Sequence, residues 1–448
     1  MDSFTERCER PFDVIVVGTG PGGASTAREL ARAGAHVLIL EQGSAAPLAG
    51  TLGQMATMAL PGRGTWLHRD ASLLVSGTVL GGSSALNFAT AAPPPAAMFA
   101  AHGIDLAPFL AALRAELPLA PLPDNLVGPM AARIMLAARA AGFNWQKLDK
   151  MIRPQACRSG CWRCVYGCPF GAKWSARDFV IDACRHGAVL LDRSRVRRVL
   201  VEDGRAAGVE YRRAGALHTV RAPTVVLAGG GIGSPRLLHA SGLGPRHAPF
   251  FSDPVVAVMG SVDDIDGGAE VPMAAGVSFP EEGIALADLT LPAPMYAAFA
   301  LQAGRVDRVG AHRRTLSLMV KIRDDIGGAV GPRWVDKRLT TGDRARLEQG
   351  IGMARRILAQ AGARQVFATH HFAAHPGGSI PIGGNAGEGV DSDLRAAPGL
   401  YVCDASVIPQ PWGLPPTLTL LCLGKRLGAM LAGAAIGGSS VSSEAVSR

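Results

Sequence analysis

Two groups of residues in this chain have types and spacing that suit them for chemistry. Cys157, Cys161, Cys164 and Cys168 stand at C-x3-C-x2-C-x3-C and run directly into Pro169. Four thiols so close together are hard to account for as packing, and soft thiolates hold zinc or iron–sulfur centres. Zinc usually draws on two separated C-x-x-C pairs, because tetrahedral ligands must arrive from two directions. Closely spaced cysteines ending in Cys-Pro fit better the C-x2-C-x2-C-x3-C-P run that carries iron–sulfur clusters, here with the first gap one residue longer. The expectation is an iron–sulfur cluster on these four residues, with zinc the weaker alternative. The second group is Gly18, Gly20 and Gly23, in G-x-G-x-x-G spacing. Such glycines give a tight turn, close backbone approach to a pyrophosphate, and close packing of helix on strand.

The glycines need particular elements around them, and the sequence supplies these. Asp13–Val17 is a short Val/Ile run suited to a buried parallel strand. Ala24, Ala27, Leu30 and Ala31 recur at helical period, and His36–Leu40 makes a second strand ending at Glu41. A βαβ unit results, with free helix N–H groups aimed at phosphates and Glu41 placed for a ribose. Read from these residues alone, the ligand is a dinucleotide, either FAD or NAD.

The 448 residues allow two or three domains, and 48% apolar residues provide for a sizeable core. The net charge of +9 could suggest nucleic acid or a membrane surface, but the basic residues are scattered, and all but six are arginine. Neither nucleic-acid binding nor a membrane span is expected. The apolar stretch near the C-terminus is broken by Lys425 and Arg426. The N-terminal segment carries acids and no apolar core, so a cytoplasmic protein with reduced cysteines is expected. Cys8, Cys184, Cys403 and Cys422 are isolated and read as small buried apolar residues.

Further along, residues 44–75 read as loop, and helices are expected near 128–142 and 175–186. Strands are expected at Val189–Leu191, Val196–Glu202, Ala207–Tyr211 and Thr224–Leu227, with a tight turn at Asp203–Gly204. The last of these strands runs into a second glycine turn and helix at 228–244. Ser317–Arg323 reads as a strand, Thr341 or Asp343 as the cap of a helix to about Ala361, and 416–434 as a final helix.

These pieces together resemble the glucose–methanol–choline (GMC) oxidoreductases, flavoenzymes that oxidise alcohols. Gly18–Gly23 with Glu41 matches the family's FAD-binding opening, and Gly81, Gly82, Ser83, Ser84 and Asn87 match its G-G-S-S-x-x-N motif. Ser234, Pro235, Leu237, Leu238 and Ser241–Gly244 match its S-P-x-L-L-x-x-S-G-[LI]-G signature. His375, Pro376 and Gly378 match H-P-x-G, and Asp404, Ala405 and Ser406 match D-[AG]-S. A Cys-rich G-C-x-x-G-A-K segment, here Gly167–Lys173, is similar to that of cholesterol-oxidase-like members. The resemblance selects FAD over NAD. It implies an α/β fold in which a discontinuous Rossmann-type FAD domain (1–245 and 391–437) holds an inserted α+β substrate domain. That insert, 246–390, would be built on a mostly antiparallel sheet, and 438–448 would form a disordered tail. FAD contacts are expected from Gly18, Gly20, Gly23, Glu41, Gly81, Gly82, Ser83, Asn87, Val196, Asp404 and Ala405.

The resemblance also implies that His375 is the base for a small-molecule alcohol, because a neutral imidazole suits the proton step. The family sets an Asn or His beside it, where this chain has Pro415, which can neither donate a hydrogen bond nor take a proton. His371 or His370 is then expected to assist, with His371 the preferred candidate. Cys157–Cys164 also has radical-SAM spacing, but nothing else in the chain resembles that barrel. With a cluster present, electrons would pass to an external acceptor, making the protein a dehydrogenase. The alternatives are an oxidase using O₂ with structural cysteines, or a flavin-binding electron-transfer protein with a degenerate alcohol site.

Overall fold

The apolar run before the first glycine turn forms the strand Val14–Val17, buried along its whole length. The computed structural model describes residues 10–441. Within it, Val14–Val17 is central in a six-stranded sheet, with Val14 level with Val37 on one side and Thr224 on the other. Val189–Leu191 extends the parallel sheet beyond Val37–Leu40, and Leu400–Val402 extends it beyond Thr224–Leu227. Arg395–Ala397 closes that edge in antiparallel sense. Strands covered on both faces need no polar alternation, which is why they read as continuous Val, Ile and Leu runs. The sheet takes strands from both ends of the chain, so this layer is discontinuous in sequence.

Two helices press closely on each other beside this sheet. The opening helix Pro21–Arg32 lies against the final helix Thr417–Val441. A Cβ on Gly424 would stand 2.4 Å from the Gly22 carbonyl oxygen, so only glycine permits the approach. Ser25 and Thr26 donate their hydroxyls to the Leu421 and Gly424 carbonyls at 2.8 and 3.2 Å, which satisfies polar groups at a buried contact. The final helix runs past 438, and the rest of the expected tail, 442–448, lies outside the described residues. Among the described residues, no helix is long and apolar enough to cross a membrane.

The second layer is a nine-stranded, mostly antiparallel sheet centred on Val255–Ser261 and Thr315–Ile322, the latter buried at every position. The helix Thr341–Gln360 covers one face through Leu347, Ile351, Ala354, Ile357 and Leu358. Its cap is Thr340, not Thr341 or Asp343. Thr340 Oγ1 accepts from Asp343 N, and Asp343 returns a carboxylate oxygen to Thr340 N, closing a capping box. The stretch 44–75, expected as loop, contains a helix, Leu52–Met58, and two strands, Thr65–Leu67 and Leu73–Val75. Leu73–Val75 pairs in parallel with Phe372–Ala373, Leu73 lying level with Phe372. Three-residue strands are too short to show a period of two in sequence. Between the layers' sequences runs an antiparallel meander, Arg195–Glu202, Arg205–Arg213 and Ala216–Arg221. Its first turn, Asp203–Gly204, has both residues at positive φ, as a tight two-residue hairpin requires.

Candidate functional site

The glycine turns meet at the start of the opening helix. Gly18 has φ +102°, and a Cβ there would lie 2.3 Å from the Ala228 carbonyl oxygen. Gly23 packs equally tightly, its Cβ position 2.4 Å from the Gly18 carbonyl oxygen. Gly20 is the helix N-cap without any side-chain cap, and a Cβ on it would meet no atom within 4 Å. The first helical N–H groups are therefore left for an anion at the positive end of the helix dipole. Gly81 and Gly82, both at positive φ, fold a second turn against the first, the Gly82 Cβ position falling 3.0 Å from Gly20 Cα. Gly81 N donates to Thr19 Oγ1 at 2.9 Å. The two turns together form an open backbone cradle that fits the pyrophosphate of FAD.

Glu41 sits at the tip of its strand as expected, but it is buried and braces the cradle. Its Oε2 accepts from Thr19 N and Oγ1 at 3.1 and 2.5 Å, and Oε1 accepts from Gly43 N at 2.6 Å. Burial pushes its carboxyl up, against these donors. Oε1 keeps a lone pair for a ribose hydroxyl. Asn87 ties the second motif to the final helix, its Nδ2 donating to Thr417 Oγ1 at 3.4 Å. Ser83 Oγ accepts from Gly77 N and holds its own loop. Asp404 collects Gly230 N, Ser234 Oγ, Ser406 N and Ser406 Oγ, which fixes the second glycine turn against the D-A-S segment. The Ala405 carbonyl accepts from Gly378 N at 3.0 Å. Val196 is buried on the meander opposite Tyr211 and presents no polar side chain.

These contacts also place His375. Its loop is stitched to Phe251 by two backbone bonds through Gly377, and to the D-A-S segment through Gly378 and Ile380. Gly231 must be glycine for the Pro376 carbonyl to come so near, since a Cβ would lie 2.1 Å from that oxygen. His375 Nδ1 stands 3.2 Å from Asp253 Oδ2. Asp253 is 1% exposed, and its Oδ1 has no hydrogen-bond partner among the described residues. Lys321, 3% exposed, lies 3.9 Å from Asp253 Oδ2. A second buried pair, Lys337 Nζ to Asp324 Oδ2 at 2.7 Å, anchors the segment, because Asp324 also accepts from Ser252 N and Asp253 N. Burial and the Lys321 charge lower the His375 pKa, with Asp253 opposing them. His375 is therefore a neutral imidazole near pH 7, with Nδ1–H directed at Asp253.

Sequence reading missed Asp253 and Lys321. The available signal was a lone lysine in the apolar run SLMVKIR, since lysine is almost never buried without a partner. Asp253 left no comparable mark, because its pairing depends on a loop 122 positions away. His371 is engaged elsewhere. Its Nε2 is 3.4 Å from Asp70 Oδ2, and burial pushes it down to about 4. The neighbouring His370 holds the Asp70 carbonyl at 3.0 Å. Histidines 370 and 371 thus serve Asp70, while His375 serves Asp253. Pro415 lies in the loop before the final helix.

The four cysteines are free of disulfides, with Cys164 buried and the others half-buried. Burial first, and then the mutual influence of the thiols, pushes Cys157 up to about 11. A single zinc with bonds of ~2.3 Å needs sulfurs about 3.8 Å apart. Among the described residues no three of these sulfurs gather within 4.8 Å. Lys173 joins this loop to the cradle, as its ammonium donates to the carbonyls of Cys164, Ala85 and Asn87.

Comparison with known proteins decides the family. Two family models, both described as GMC oxidoreductase, match residues 12–259 and 331–424. The chain belongs to the GMC oxidoreductase family. An uncharacterized GMC-type oxidoreductase of Mycobacterium tuberculosis is 29% identical over 92% of this chain and 74% of its own length. A long-chain-alcohol oxidase of Arabidopsis thaliana is 24% identical over 93% of this chain and 67% of its own. The solved structure of pyridoxine 4-oxidase from Mesorbium loti has the same fold, with a TM-score of 0.72 at 19% identity, covering 94% of this chain and 99% of that one. As a GMC oxidoreductase, the protein is an oxidoreductase with FAD as its cofactor. The cradle at Gly18–Gly23 and Gly81–Gly82 is consistent with that assignment.

Proposed function

We propose that this GMC oxidoreductase oxidises a hydroxyl group of a small organic molecule, with His375 as the base. The supporting observation is the 3.2 Å contact between His375 Nδ1 and the buried Asp253 carboxylate. Nδ1 carries the proton in that contact, so Nε2 keeps the lone pair that takes the hydroxyl proton. Asp253 then stabilises the imidazolium, and Lys321 keeps His375 neutral beforehand. FAD in the cradle supplies the acceptor for the hydride. Lys321 offers a reason why Pro415 is tolerated, since the base already has a charged support on its other side. The names of the Arabidopsis and pyridoxine relatives support a hydroxyl-bearing organic substrate. Bleaching of flavin absorbance by a panel of alcohols under argon tests this. Wild type should bleach and His375→Asn should slow by about 10²–10⁴-fold; equal rates would overturn the role of His375.

The cysteines support a second element of the same proposal, an iron–sulfur cluster on Cys157, Cys161, Cys164 and Cys168. Lys173 holds their loop against segment 85–87 through the carbonyls of Cys164, Ala85 and Asn87. Such a cluster would supply one-electron transfer to an acceptor outside the chain. Residence in the cytoplasm fits this, because the thiols stay reduced there. Iron and sulfide analysis after anaerobic purification checks it. Absence of both, with peroxide produced in air, would make the protein an oxidase with structural cysteines.

A further inference from the structure

The short strand Phe372–Ala373 pairs in parallel with Leu73–Val75, Phe372 level with Leu73. That register sets His371 and His370 beside the hairpin loop that carries His68 and Asp70. One ligand atom from each of Asp70, His370 and His371 lies within 4.8 Å of the other two. His371 Nε2 and Asp70 Oδ2 are 3.4 Å apart. This is close to the ~3.3 Å edge of a tetrahedron with metal–ligand bonds of ~2.0–2.1 Å. Asp70 is oriented for the task. Its Oδ1 accepts from Ser72 N and Oγ at 3.0 and 2.7 Å, leaving Oδ2 for the histidines. His370 is fixed by donating Nε2–H to the Asp70 carbonyl at 3.0 Å, a bond that keeps the lone pair on Nδ1.

A separate observation comes from His68. It is 6% exposed, and its Nε2 is buried without a hydrogen-bond partner among the described residues, while Nδ1 is held at the Lys337 backbone. It directly follows the strand Thr65–Leu67, in the same loop as Asp70. A buried imidazole nitrogen left unpartnered is costly unless something occupies it.

We propose that Asp70, His370 and His371 bind one divalent transition ion of the zinc type. Two imidazoles and one carboxylate are borderline ligands that suit zinc or cobalt better than magnesium or calcium. The ion would clamp the 65–75 hairpin to the strand just before His375, and so brace the loop that carries the base. It takes no part in the oxidation.

The test uses tag-free, full-length, FAD-loaded protein, stripped with EDTA and titrated with Co²⁺. One equivalent should bind, with visible d–d bands and no near-ultraviolet thiolate band, and Zn²⁺ should displace it and raise Tm. His371→Asn and Asp70→Asn should each weaken binding at least tenfold while flavin absorbance and circular dichroism stay unchanged. If His371→Asn does not fold, Asp70→Asn decides, since it is nearly isosteric and partly exposed. Failure of wild type to bind, or binding with a thiolate band that survives both substitutions, would overturn the site.

Discussion

At the scale of single residues, the proposed reactive centre rests on the contacts among His375, Asp253 and Lys321. Asp253 has positive φ, which is unusual for a non-glycine residue, and its Oδ1 lacks a hydrogen-bond partner among the described residues. The surrounding structure therefore holds it at some cost in stability, consistent with a role in placing the imidazole. Asp253→Asn removes the acceptor that fixes the His375 tautomer. We expect kcat for flavin reduction to fall by about 10²–10⁴-fold with little change in KM, measured by stopped flow. Lys321→Met acts on the pH profile. Lys321 lowers the His375 pKa, so removing its charge should move the acid limb of kcat/KM to higher pH. An unmoved limb would show that the two groups are not coupled.

At the scale of elements, the FAD cradle is held open by close backbone approaches that only glycine allows. Gly18 turns the chain against Ala228, Gly22 packs on the Cys403 carbonyl, and Gly424 lets the final helix reach the Gly22 carbonyl. Gly424→Val would force the two helices apart. We expect a loss of about 1–3 kcal/mol in denaturant unfolding, and faster loss of FAD on dilution, because the cradle is the N-terminal end of the displaced helix. The motifs at 18–23 and 81–87 were legible in sequence because each is local: its glycines act within one turn and one helix start. The hairpin 65–75 was not, because its strands are short and gain their pairing from Phe372–Ala373 far along the chain.

For the whole molecule, the distribution of lysine is informative. The chain contains six lysines, and Lys150, Lys173, Lys321 and Lys337 are all buried. Lys150 and Lys173 gather backbone carbonyls that join the flavin-binding segment to the larger sheet and to the cysteine loop. Arginine covers the surface, while the compact ammonium is kept for interior sites where three donors meet carbonyls. Burial pulls Lys150, Lys173 and Lys321 down to about 8. Between that value and the ordinary 10.5, the unfolded chain holds more protons than the folded one, so stability rises with pH as these groups lose their charge. Cys403 and Cys422, both pushed up to about 12, act oppositely above pH 9. We therefore expect Tm to rise from pH 8 to pH 9, by calorimetry, and to rise less in Lys321→Met. A flat profile would contradict the buried charges.

The sequence by itself determined the family, the glycine turns at 18–23 and 81–82 and the strands and helix around the first of them, since those depend on residues close together in the chain. It also singled out His375. It did not determine what supports that histidine, because Asp253, just before the strand Val255–Ser261, and Lys321, on Thr315–Ile322, meet it only through the tertiary fold. Nor did it separate His371 from His375. They lie four positions apart, on either side of the short strand Phe372–Ala373, yet one meets Asp70 and the other Asp253. Local geometry is carried by residue type; partners across the sheet are assigned only by the tertiary register.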